Sequence, residues 1–200
     1  MTRLATLLMI RHGEKPHAGG LGVDERGNAN PDGLTPQGWA RAGALVTLFA
    51  PNSTTVSSAL PSPGALVTPR YHKPVHRAYL TLLPLAQRLG MAILAEHPVD
   101  AHPAEVVESL VAMDTGVVLM CWEHDHLVKI ADAVAHALPV ANPDEVPAEW
   151  PDDRFDMIWR FDRDEQTQTW TFSSHDQQLL AGDSHPSEPG TSSARIVLRG

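Results

Sequence analysis

Residues 4–10 read Leu4-Ala5-Thr6-Leu7-Leu8-Met9-Ile10, and the run stops at Arg11-His12-Gly13-Glu14. A near-continuous apolar run of this length is what a strand buried on both faces requires, so the stretch predicts the core strand of a parallel sheet. Further along, residues 117–122 (VVLMCW) form a second wholly apolar run, which stops at Glu123-His124-Asp125-His126. Two buried strands that both end in histidine-bearing polar clusters point to one edge of one sheet. Open parallel sheets bind ligands beyond the carboxyl ends of their strands.

Between and after these runs, strand and helix patterns alternate. Thr35-Pro36 reads as an N-cap followed by proline at the first helical position, opening a helix that continues from Trp39 to Phe49. Residues 65–68 and 91–95 are short strands. Residues 74–89 form a helix with Ala78, Leu82, Leu85 and Leu89 on one side and Gly90 as its stop. Pro103 opens a third helix through Val106, Val107, Leu110 and Val111, closed near Gly116, and residues 127–138 form a fourth. Residues 155–161 and 167–172 flank a polar turn as a hairpin. The polar, Gly-rich residues 15–33 predict a long loop able to act as a lid. Residues 175–193 predict a polar loop or tail, and 195–198 a last edge strand at most. The expected fold is α/β: one domain over 1–200, a three-layer sandwich whose largely parallel central sheet is flanked by helices and extended by a C-terminal hairpin.

Composition bounds the function. The 200 residues carry 15 Lys and Arg against 24 Asp and Glu, a formal charge of −9, which argues against a phosphate-backbone footprint and so against nucleic acid. Cys121 is the single cysteine, so neither an internal disulfide nor a cysteine-built zinc cage is expected; it reads as a packed residue of a strand. No apolar run approaches the ~18 residues of a membrane span, and no leader is clear, so a cytoplasmic location without a membrane partner is expected. Nothing in the sequence speaks to oligomeric state.

The octet Leu8-Met9-Ile10-Arg11-His12-Gly13-Glu14-Lys15 resembles the signature of the histidine phosphatase, or phosphoglycerate-mutase-like, superfamily. Leu34-Thr35-Pro36-Gln37-Gly38 resembles its helix-opening Leu-Thr-x-x-Gly. Arg77-Ala78-Tyr79-Leu80-Thr81 resembles its Arg-Ala-x-x-Thr, and residues 117–124 the strand that ends in its second histidine. The likeness spans residues 4–138.

The resemblance implies a phosphatase of the small type, acting on a small phosphorylated substrate, with no metal and no cofactor. His12 would attack phosphorus as a neutral imidazole, giving a phosphohistidine. Arg11 and Arg77 would bind the phosphoryl oxygens by charge-assisted forks and hold the His12 pKa down. His124 would be the further oxygen ligand, with His126 as its competitor. Arg70 competes with Arg77, because residues 69–76 make a longer link than the pattern has. The proton donor is open: Asp125 follows the second histidine, and Glu96, Glu105 and Glu108 lie in the segment after the arginine helix. Glu14 and Glu123 read as supports that hold Arg11 and the histidines. His72 and His76 read as surface loop residues, His175 and His185 as solvated, and Trp150, Trp159 and Trp170 as cover for the sheet. Two other readings stand beside this one. One is a metal-dependent hydrolase built from His12, Glu123, His124 and His126; the other is a silent phosphate- or protein-binding module.

Overall fold

The computed structural model describes residues 3–18, 20–51, 60–72 and 76–183. The expected edge strand at 195–198 and His185 lie outside them. The order along the chain is β1 (Thr6–Arg11), β2 (Gly22–Val23), β3 (Ala29–Asn30), α1 (Pro36–Phe49), β4 (Ala65–Val67), α2 (Arg77–Leu89) and β5 (Ile93–Leu94). There follow α3 (Pro103–Val111), β6 (Val117–Trp122), α4 (His124–Ala137), β7 (Met157–Arg163) and β8 (Trp170–Asp176).

Six strands form one sheet in the order β5-β4-β6-β1-β7-β8, and β2 pairs with β3 apart from it. Strands β5, β4, β6 and β1 run parallel, while β7 and β8 are antiparallel. The core strand β1 is buried throughout, as its unbroken apolar run requires. Period-2 alternation sends its side chains to two layers. Leu8 and Ile10, with Leu119 and Cys121 of β6, pack under α1 and α2 against Leu45, Phe49, Leu82 and Leu85. Leu7 and Met9, with Val118, Met120 and Trp122, pack under α3 and α4 against Val107, Leu110, Ile130 and Val134. Trp150, Trp159 and Trp170 belong to this second layer. The sandwich is therefore the expected one.

Four local features differ from expectation. Helix α4 begins at His124, three residues before the first apolar position, with Glu123 as its N-cap. Residues 15–33 are not one open loop. Asp24 accepts hydrogen bonds from the Arg26 and Asn28 backbone amides, and Gly27 takes a positive φ of 81°, which together fold the β2–β3 ribbon. The hairpin of β7 and β8 is longer than its hydrophobic pattern, so His175 pairs with Ile158 inside β8 and is not part of a tail. After it, residues 177–183 pack back onto the domain, with Gln177 and Asp183 buried. Among the described residues no helix is long and apolar enough to cross a membrane.

Candidate active site

The parallel register of β1 and β6 sets the site. Arg11 pairs with Trp122, and the His12 amide continues the ladder by donating to the Trp122 carbonyl at 3.1 Å. The next residues on each chain, His12 and Glu123, therefore stand side by side at the carboxyl edge. Parity decides their face. His12 follows Leu8 and Ile10, and Glu123 follows Leu119 and Cys121, so both sit on the α1/α2 side. Arg11 and His124 have the opposite parity and turn toward the α3/α4 side.

On the α1/α2 side a cavity of about 220 Å³ is lined by His12, Asp32, Tyr71, His72, His76, Arg77 and Glu123. His12 Nδ1 lies 2.8 Å from the Gly13 carbonyl. A carbonyl only accepts, so Nδ1 carries the proton and Nε2 keeps its lone pair. Burial of His12 pushes its pKa down to about 3, with Arg11, Arg77 and Lys15 adding to the depression. The ring is neutral at physiological pH. Arg77 donates to the Pro31 carbonyl at 2.8 Å through one terminal nitrogen, and its buried Nε has no partner among the described residues.

Opposite them the Tyr71 hydroxyl donates to Glu123 Oε1 at 2.5 Å. Burial, and then the hydrogen bond to Glu123, raise the Tyr71 pKa, so the phenol stays a donor. His76 is not a surface residue: it is buried, caps α2 by accepting from the Tyr79 amide at 3.3 Å, and is pushed down to about 4 by desolvation.

The loop that carries His12 is held from two directions. The Gly13 amide donates to Thr81 Oγ1 at 2.8 Å, and Thr81 itself donates to the Arg77 carbonyl, so the threonine of the Arg-Ala-x-x-Thr stretch ties α2 to the histidine loop. On the other flank, the Thr35 amide and hydroxyl both donate to the Glu14 carbonyl, and Thr35 Oγ1 caps α1 by accepting from Gly38. Gly38 is required there, since a Cβ at this position would lie 2.6 Å from the Glu14 carbonyl oxygen.

Glu14 does not hold Arg11, as its adjacency suggested, but Arg41. The Arg41 guanidinium is buried and divides itself between Glu14 (2.7 Å), Asp183 (2.7 Å) and Gln177 (3.0 Å). Burial alone would lower its pKa, yet the hydrogen bonds it donates to Asp183 and Glu14 outweigh it and raise the value.

The structure separates residues that the sequence analysis grouped. Arg11 donates through one terminal nitrogen to the Asp152 carbonyl (2.7 Å) and also to Pro151 and Arg154, and its guanidinium carbon lies 4.1 Å from the Phe155 ring centre. That ring is 6.1 Å from the ring of His12. His124 Nε2 is 2.7 Å from Asp152 Oδ1 and 3.4 Å from Asp125 Oδ1, whose side chain is 84% exposed. His126 donates to the Ala101 carbonyl at 2.9 Å and stacks on Trp122. Neither His124, Asp125 nor His126 lines the cavity with His12, because strand parity and the early start of α4 turn them away. The same geometry disperses the His12, His124 and His126 cluster of the metal reading. Among the described residues no three or more histidine, cysteine or carboxylate side chains are grouped as a metal site would need.

Arg70 is exposed and pairs by its backbone with the 97–98 segment, away from the cavity that Arg77 lines. Glu96, Glu105 and Glu108 are exposed and likewise outside it. Cys121 is buried, and burial pushes its thiol well up. Tyr71, Arg41 and Asp183 carry no local sequence signal. Glu123 does: counting parity from the apolar residues 119 and 121 places it beside His12.

Solved structures share this fold. A mycobacterial glucosyl-3-phosphoglycerate phosphatase complexed with VO3 superposes with a TM-score of 0.54 at 17% identity, covering 86% of this chain and 98% of that one. A mutant phosphoserine phosphatase from Entamoeba histolytica in complex with phosphoserine gives 0.51 at 14% identity, over 90% of this chain and 100% of that one. The Entamoeba histolytica enzyme in complex with 3-phosphoglyceric acid gives 0.51 at 15%, with the same coverage. No family model matches this chain, and no curated protein sequence matches it.

Proposed function

We propose that this chain, which has the fold of the histidine phosphatase superfamily, is a phosphatase that hydrolyses a small phosphate monoester through a phosphohistidine on His12. The observation that carries this reading is the pairing in one cavity of a neutral His12, protonated on Nδ1, with Arg77, whose Nε has no partner among the described residues. A phosphoryl group needs an in-line nucleophile and donors for its charged oxygens. Here His12 Nε2 attacks phosphorus, and the Arg77 fork binds the oxygens. Arg11 adds positive potential at the imidazole and holds the 151–154 backbone, which sets Phe155 beside His12. The cavity volume and the acidic net charge support a small ester over an anionic polymer. The solved structures of the same fold that carry phosphatase names agree with the reading.

The deciding experiment is turnover of nitrophenyl phosphate by the wild type and His12→Ala, with acid-quench trapping of an acid-labile phosphoprotein. The wild type is expected to turn over and to trap label, and His12→Ala to do neither while keeping its circular dichroism spectrum. Equal activity in both proteins, or no turnover and no label in the wild type, overturns the proposal.

A further inference from the structure

We infer that Glu123, which faces His12 across the β1/β6 edge, carries the proton of the reaction; this rests on the phosphohistidine reading. Three observations support it. The parallel register puts the two residues at adjacent positions with the same parity. Both line the same cavity, together with Arg77. Tyr71 occupies Glu123 Oε1, and Oε2 makes no hydrogen bond to a described residue. A carboxyl held on one oxygen by a phenol and free on the other is built to exchange a proton from a fixed position.

The alternatives are worse placed. Asp125 is solvated beside His124 and Asp152, and Glu96, Glu105 and Glu108 lie outside the cavity. Asp32 lines the cavity but sits in the loop between β3 and α1, and strand pairing does not set it against His12.

The steps balance. His12 Nε2 gives its electron pair to phosphorus, the P–O ester bond breaks, and the departing oxygen takes the proton of the Glu123 carboxyl and leaves as an alcohol. Water then attacks the phosphohistidine, and the Glu123 carboxylate takes its proton. The P–N bond breaks, its pair returns to Nε2, phosphate leaves, and Glu123 is again protonated.

Glu123→Gln tests this without disturbing the fold, because the Glu123 side chain makes no capping bond to α4 and glutamine keeps an acceptor for Tyr71. A general acid matters in proportion to how poor the leaving group is. Glu123→Gln is therefore expected to lose on the order of 10²-fold in kcat/KM with glycerol phosphate and only a few-fold with nitrophenyl phosphate. With nitrophenyl phosphate the phosphoenzyme should accumulate in the variant, since the water step lacks its base. Tyr71→Phe, which frees the carboxyl from its rotamer, should lower kcat/KM for glycerol phosphate selectively. An equal loss with both substrates, no loss with either, or a leaving-group-dependent loss in Asp32→Asn instead overturns the inference while the wild type still forms phosphohistidine. Absence of that phosphoenzyme in the wild type overturns the histidine reading and this inference with it.

Discussion

The Gly13 amide, immediately after the candidate nucleophile, is satisfied by Thr81 Oγ1 from the first turns of α2. Both groups are buried, so the bond cannot be replaced by solvent. Thr81→Val keeps the shape and leaves the Gly13 N–H unpaired, which costs about 1–3 kcal/mol. Thr81→Ser keeps the acceptor. We expect the valine variant to lose both stability and kcat, and the serine variant to stay near wild type, as read by urea denaturation and by nitrophenyl phosphate turnover. A valine variant as active as wild type would detach Thr81 from the site.

Arg77 and Arg70 differ by seven positions in sequence but only Arg77 lines the cavity with His12. Arg77→Ala should weaken inhibition by phosphate or vanadate at least tenfold, roughly the 1.4 kcal/mol or more that a charge-assisted bond supplies. Arg70→Ala should leave it within a factor of two or so. An inhibition series in the reverse order would move the phosphate site to the 97–98 side of the sheet.

His12 binds its proton at about 3 in the native state against an ordinary 6.5. Between those values the unfolded chain holds a proton that the native chain does not, so stability falls as pH falls from 6.5 toward 3. One proton gives a slope of about 1.4 kcal/mol per pH unit. His76, pushed down to about 4, acts with the same sign. Urea midpoints from pH 7 to 4.5 should therefore decline less steeply in His12→Asn than in the wild type. Parallel declines would contradict a neutral, desolvated His12.

Arg41 is the buried cation that neutralises Glu14 and Asp183 together. Arg41→Met leaves two uncompensated carboxylates, a loss of about 3–5 kcal/mol and on the order of 10 °C in Tm. Because Glu14 is two residues from His12, turnover should fall as well. A melting temperature within about 2 °C of wild type would show that the triad contributes little.

Strands β1 and β6 were legible because they are apolar on both faces, and α1 because Thr35 and Pro36 mark its start. The three-layer order follows from the alternation of strand and helix patterns along residues 4–138. What escaped was a single step of parity. The histidines at 124 and 126 drew attention as chemical types, whereas residue 123 had the facing position, and α4 starts ahead of its first apolar residue, where periodicity carries no signal. The hairpin of β7 and β8 was legible in its alternating pattern, whereas residues 177–183 escaped for a different reason. Gln177 and Asp183 bond to Arg41, more than a hundred positions away, and local pattern says nothing about such a partner.

The pairing of β1 has a consequence for biosynthesis. Its first residue, Thr6, finds its parallel neighbour only at Val117 and its antiparallel one at Asp162. The strand that leads into His12 thus leaves the ribosome before both its neighbours and waits for them. Chains with such distant pairings fold slowly and expose apolar edges meanwhile. The six unbroken buried residues of β1 are, during that interval, the segment a holding chaperone would recognise.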